Sequence, residues 1–175
     1  MNIVQVKKLC YSALLLAAAF LMPFLTGQIP QFGAMLCPMH IPVLLCGFVC
    51  GWQYGLAVGI IAPLFRSLVL GMPPMFPTAA AMSVELALYG SIAGLLYKML
   101  PKTVPYIYAS LLSAMILGRI GWGAAMLIFM GLGSFSFNAF IAGAILNSIP
   151  GIILQLVLVP VLVAALKKSK ILLNE

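Results

Sequence analysis

Long apolar runs, bounded by lysines or by turn-forming residues, restrict this chain's possible folds more than any other feature. All seven lysines, Lys7, Lys8, Lys98, Lys102, Lys167, Lys168 and Lys170, fall in three short clusters. Inside the runs the only charges are Arg66, Glu85 and Arg119, and Glu175 ends the chain. With 65% hydrophobic and only 6% charged residues, and a mean hydropathy of +1.22, the chain is far from the roughly 25% charged composition of soluble domains. Its solvent is lipid. The net charge of +7 is not arranged as a basic stripe with interleaved aromatics, which argues against a nucleic-acid partner.

The pattern predicts an all-α integral membrane protein with six transmembrane helices, as a single domain over residues 1–175. The first span covers Leu9 to Thr26. A glycine- and proline-bearing loop from Gly27 to Pro38 follows. The second run, Ile41 to Trp52, is short, and Gly51 to Gly55 turns into a third span from Leu56 to Leu70. Gly71 to Pro77 is too rich in proline for a helix. The fourth span runs from about Thr78 to Tyr97, the fifth from Val104 to Met130 and the sixth from Phe137 to Leu166. Although Met1 to Lys8 and the following apolar run imitate a secretory signal, the run reaches spanning length, so it is expected to stay as a helix.

Basic connections are retained on the cytoplasmic side of a membrane. An even number of crossings separates each lysine cluster from the next, which predicts that both termini and all seven lysines are cytoplasmic. The loops after spans one, three and five carry no charge. Spans two and three contain Pro42, Gly47, Gly59 and Pro63 and can tilt, kink or stop partway. No internal inverted repeat of the kind many secondary transporters show is visible.

A charge near the bilayer centre costs about 2.5 to 3.5 kcal/mol on an insertion scale, so Arg66, Glu85 and Arg119 need partners. At about 1.5 Å per helical residue, Arg66 lies roughly 8 Å below Gly71, Glu85 roughly 12 Å below Pro77 and Arg119 roughly 18 Å below Gly131. Glu85 can neutralise one arginine only. An anionic ligand would complete the set. For Arg66 the alternative is a side chain that snorkels to the outer interface; for Glu85 and Arg119 it is an ion pair that only joins two helices. Trp122 and Tyr89 share helix faces with Arg119 and Glu85 and can wall a solute or simply fill the core. Asn147, on the sixth span near Gly143 and Gly151, can contact a ligand or a neighbouring helix; Asn138 and Gln155 are weaker candidates. His40 opens the second span as a boundary histidine or a ligand contact. Met35, Met39, Met72 and Met75 can pack as an adaptable lid or as ordinary loop residues.

Cys10, Cys37, Cys46 and Cys50 lack a second paired zinc-type motif and are read as small core hydrophobes, although Cys46 and Cys50 share a helix face near His40. Neither a nucleotide-binding G-x-x-x-x-G-K-[ST] nor H-E-x-x-H nor G-x-S-x-G occurs, which leaves an enzyme without a recognisable nucleophile or metal. No catalytic residue and no cofactor is expected.

The six spans, Ala13 and Ala17 in an Ala-x-x-x-Ala arrangement on span one, the segment Pro-Met-His-Ile-Pro-Val-Leu-Leu-Cys-Gly-Phe from Pro38 to Phe48, and the Gly71 to Pro77 loop together resemble the substrate-binding S component of an energy-coupling factor (ECF) vitamin transporter. The resemblance covers nearly the whole chain. It implies a bacterial cell-membrane protein with a pocket near the outer face, built from spans four to six and capped by the loops after spans one and three. It also implies docking through Ala13 and Ala17 onto a transmembrane coupling protein driven by two ATPase subunits, with the loaded subunit toppling to deliver its ligand inward. The chain is most similar to pantothenate-type members, while another carboxylate-bearing vitamin, lipoate or queuosine precursors stay open. The competing classes are a self-sufficient oligomeric secondary transporter and a structural membrane subunit.

Overall fold

The computed structural model of the protein describes residues 2–26, 35–131, 148–169 and 171–174. The described residues include six α-helices: α1 (Ile3–Leu21), α2 (His40–Cys50), α3 (Trp52–Leu70), α4 (Ala80–Met99), α5 (Val104–Met130) and α6 (Ile149–Lys168). A 3-10 turn, Met22–Thr26, prolongs α1, and a π turn, Met75–Ala79, leads into α4. No strand occurs among the described residues. Helix is the expected answer for apolar chain in lipid, where each backbone polar group must find its partner within the segment.

Among the described residues, five helical segments are long and apolar enough to cross a membrane: Ile3–Phe24, Trp52–Leu70, Met75–Met99, Val104–Met130 and Ile149–Lys168. These match the first, third, fourth and fifth predicted spans and the second half of the sixth, whose first half lies outside the described residues. The second run differs. It forms α2, an 11-residue helix of about 16 Å, roughly half of a hydrocarbon core of about 30 Å. Every residue from Cys37 to Gly51 is buried, because α2 sits in the middle and packs against α1, α3, α4 and α6. A helix buried on all sides by other helices has its length set by those neighbours rather than by the bilayer.

Glycines let α2, α3 and α4 approach to backbone contact. An added Cβ would lie 2.6 Å from the Gly90 carbonyl oxygen at Gly55, and 2.2 Å from the same oxygen at Gly47. Such small-residue seams are how helices adhere in lipid, where apolar side chains gain nothing by leaving the solvent.

The lysine clusters gather at one end of the bundle. Lys167 Nζ donates to the Lys102 carbonyl at 2.7 Å, and Lys102 Nζ donates to the Tyr97 carbonyl. The carboxy-terminal tail tucks under α2 at this end: the Leu173 N–H donates to the Val49 carbonyl at 2.9 Å, and Asn174 Nδ2 donates to the carbonyls of Gly47 at 3.3 Å and Gly94 at 2.9 Å. The Leu173 bond satisfies an acceptor that the end of α2 would otherwise leave orphaned, and the Asn174 amide ties the end of α2 to α4. A Cβ on Gly51 would lie 4.0 Å from Lys8 Nζ, so α2 ends beside the first cluster as well. On α1, Ser12 and Ala19 are buried, whereas Ala13 and Ala17 face outward.

Candidate functional site: a buried polar cluster at mid-bundle

Glu85 lies one and a half turns into α4, with about 21 Å of helix between it and Met99. Arg119 on α5 has about 16 Å of helix on its way to Met130, and His40 opens α2 about 16 Å from its lysine-end terminus. Three helices therefore bring these residues to similar depth near the middle of the bundle. Arg119 Nη1 lies 3.3 Å and His40 Nε2 3.5 Å from Glu85 Oε1. One carboxylate oxygen is thus shared between two nitrogen groups.

Tyr89 follows Glu85 by one turn, on the same face. Its ring meets the His40 imidazole edge-on, with centroids 5.1 Å apart and planes at 67°, and it fills the space that Gly118 leaves on α5: a Cβ there would fall 2.1 Å from Tyr89 Cδ1. Cys37, in the segment before α2, brings its Sγ to 3.8 Å from Arg119 Nη2. Placing His40 and Cys37 beside Glu85 depends on the shortness of α2, because a full-length second span would have carried His40 to the membrane surface.

His40, Glu85 and Tyr89 are at most 3% exposed, while the Arg119 side chain is 16% exposed. Arg119 therefore reaches toward the accessible side of the cluster. Among the described residues, no hydrogen-bond partner reaches either His40 ring nitrogen, Glu85 Oε1, Tyr89 Oη or Arg119 Nε. The contacts to Glu85 are of ion-pair length without hydrogen-bond alignment. Unused buried polar capacity on this scale is unusual, since a buried donor or acceptor left unmade costs about 1 to 3 kcal/mol.

Trp122 is half-buried one turn after Arg119. Asn147 and Asn138 lie outside the described residues. Arg66 is not brought to the cluster: its Nη1 donates to the Phe20 carbonyl at 3.3 Å, and its guanidinium carbon is 5.7 Å from the Phe24 ring centroid. A guanidinium at the carboxyl end of α1 meets the negative end of that helix's dipole, so the arginine without a carboxylate has a partner of another kind. Met39 belongs to the core at 4% exposure, whereas Met35, Met72 and Met75 are exposed.

Sequence reasoning undervalued two residues. Cys37 gave no signal, being one small residue in a loop. Gln155, on α6, is fully buried with neither amide atom hydrogen-bonded among the described residues, and an amide inside the apolar run from Ile152 to Leu158 was a usable sign. Cys46 and Cys50 sit inside α2, and no three metal-ligating side chains gather among the described residues.

A family model described as the substrate-specific component of ECF transporters matches residues 7–163. No curated protein and no solved structure matches the chain.

Proposed function

Because the chain belongs to the substrate-specific components of ECF transporters, we propose that the Glu85, Arg119, His40 and Tyr89 cluster is where it holds its transported solute. Members of this family are transport subunits rather than enzymes, and they work within a complex that includes membrane and ATPase subunits. The observation that carries the site is the hydrogen-bonding capacity left unused, among the described residues, by three buried side chains and the half-buried Arg119 at mid-bundle.

The cluster offers donors from Arg119 and Tyr89, an acceptor from Glu85, and either from His40. A small solute carrying a carboxylate together with hydroxyl or amide groups uses all of these: the anion goes to Arg119, whose planar guanidinium suits it, and the donors go to Glu85. Pantothenate has this set of groups, agrees with the resemblance in the sequence, and is the first ligand to test. Trp122 and Asn147 are proposed to complete the wall, and Ala13 and Ala17 to dock the coupling protein. In this reading the chain acts as one membrane domain of six crossings with both termini cytoplasmic. Arg66 anchors α1 to α3 rather than touching the solute.

A second reading has one observation in its favour, namely that Glu85 already faces two nitrogen groups and the cluster can be a purely structural knot. Ligand-dependent melting separates the two, since a solute that binds only the folded state stabilises it as its concentration rises. Native mass spectrometry of the detergent-purified protein should find one retained small molecule, and saturating ligand should raise the melting temperature. Arg119→Ala should insert normally and lose that rise. Unchanged ligand-induced stabilisation in Arg119→Ala would remove the cluster from the site.

A further inference from the structure

Gln155 is a buried polar side chain that the Glu85 cluster leaves unexplained. It is fully buried on α6, and neither of its amide atoms finds a hydrogen-bond partner among the described residues. Gly151, Gln155, Val159 and Val163 recur at four-residue spacing and are all buried, so the inward stripe of α6 is apolar there except for this one carboxamide. An unbonded amide is costly in that setting, and an apolar side chain would avoid the cost. We infer that the Gln155 carboxamide contacts the transported solute and reads its neutral polar part, a hydroxyl beside an amide carbonyl. The inference rests on the Glu85 cluster being the place where the solute is held.

Depth and packing put Gln155 with the cluster. About 20 Å of helix separates Gln155 from Lys168, about 21 Å separates Glu85 from Met99 and about 22 Å separates Arg119 from Val104. The lysine ends of α5 and α6 are tied at one level by the bond from Lys167 to the Lys102 carbonyl. Helix α6 packs against α2, which brings His40, and against α5, which brings Arg119. One turn before Gln155, a Cβ on Gly151 would lie 2.7 Å from the Met35 carbonyl oxygen. One turn further out, Ser148 reaches the Cys37 side chain, whose Sγ is 3.8 Å from Arg119 Nη2. The inward face of α6 therefore borders the polar level that α2, α4 and α5 build.

The chemistry of the amide differs from that of its neighbours. Arg119 only donates and an ionised Glu85 only accepts, whereas Gln155 donates through Nε2 and accepts through Oε1 side by side on one edge. A hydroxyl next to a carbonyl offers the matching donor and acceptor. An analogue without the hydroxyl leaves Oε1 unbonded in an apolar wall, and that is how a buried polar group discriminates between solutes of nearly the same shape.

The test reads melting temperature against the concentration of two probes, pantothenate and an analogue that keeps its carboxylate and amide but lacks both hydroxyls. Gln155→Leu should weaken pantothenate on the order of 30-fold and the analogue no more than about fivefold. Without a probe, Gln155→Leu and Gln155→Met should hold or raise the melting temperature, because each replaces an unbonded amide with an apolar group of similar size. Arg119→Ala should lose both probes. The inference fails if both apolar variants melt below the unaltered protein, which would make the amide a bond between helices, or if Gln155→Leu weakens the two probes equally or not at all. Those outcomes leave the cluster standing as long as Arg119→Ala loses pantothenate. If pantothenate never stabilises the unaltered protein, the ligand named for the cluster and this inference fall together.

Discussion

Glu85 shows how one residue can be read correctly in kind and only partly in company. A lone carboxylate in an apolar helix had to find a cation, and Arg119 at 3.3 Å is that cation. His40, at 3.5 Å on the same oxygen, came from a helix whose depth no local pattern revealed. Glu85→Gln keeps the shape and removes the charge, leaving Arg119 buried without its acid. Breaking a buried pair from one side costs about 3 to 5 kcal/mol, so the ligand-free melting temperature should fall. An anionic solute that takes Arg119 as its partner should then raise the melting temperature of Glu85→Gln by more than it raises that of the unaltered protein. A purely structural knot would show the fall without the larger rise.

At the scale of elements, the junction of α2, α3 and α4 rests on the absence of side chains. A Cβ on Gly90 would stand 2.3 Å from the Gly55 carbonyl oxygen, and a backbone cannot rotate away as a side chain can. Gly90→Ala must therefore push α3 from α4, at a cost of about 3 kcal/mol, the upper part of the range for overpacked cores. Gly121→Ala is the matched comparison. Its Cβ would meet only Leu88 Cδ1 at 2.2 Å, the tip of a flexible chain, and it should lower the melting temperature far less. Equal losses would mean that the glycine seam contributes nothing beyond ordinary packing. The same junction explains why α2 could be recognised as an apolar run but not as a buried half-length helix: an all-apolar segment looks alike whether lipid or protein surrounds it.

Across the whole molecule, α1 has two unlike faces. Ser12 and Ala19 turn inward, while Ala13 and Ala17 stay exposed with no described helix over them. This open small-residue face is the surface proposed above to dock the coupling protein. Ala13→Trp should spare ligand-induced stabilisation, because Ala13 supports nothing inside the bundle, and should abolish co-purification with the membrane and ATPase subunits. A variant that still assembles would move the docking surface elsewhere.

Apolar run length, lysine placement and the scarcity of acids were enough to establish an all-helical membrane protein with its lysines at one end, since bilayer thickness and charge insertion costs act on segments one at a time. They also marked Glu85 and Arg119 as needing partners. Only tertiary packing decided who those partners were. It shortened α2 into the core, brought His40 and Cys37 down to the pair, sent Arg66 to the end of α1, and tucked Asn174 under Gly47 and Gly94. Each of these depends on which helices lie side by side, and backbone approach at Gly47, Gly55 and Gly90 sets that arrangement among residues far apart along the chain.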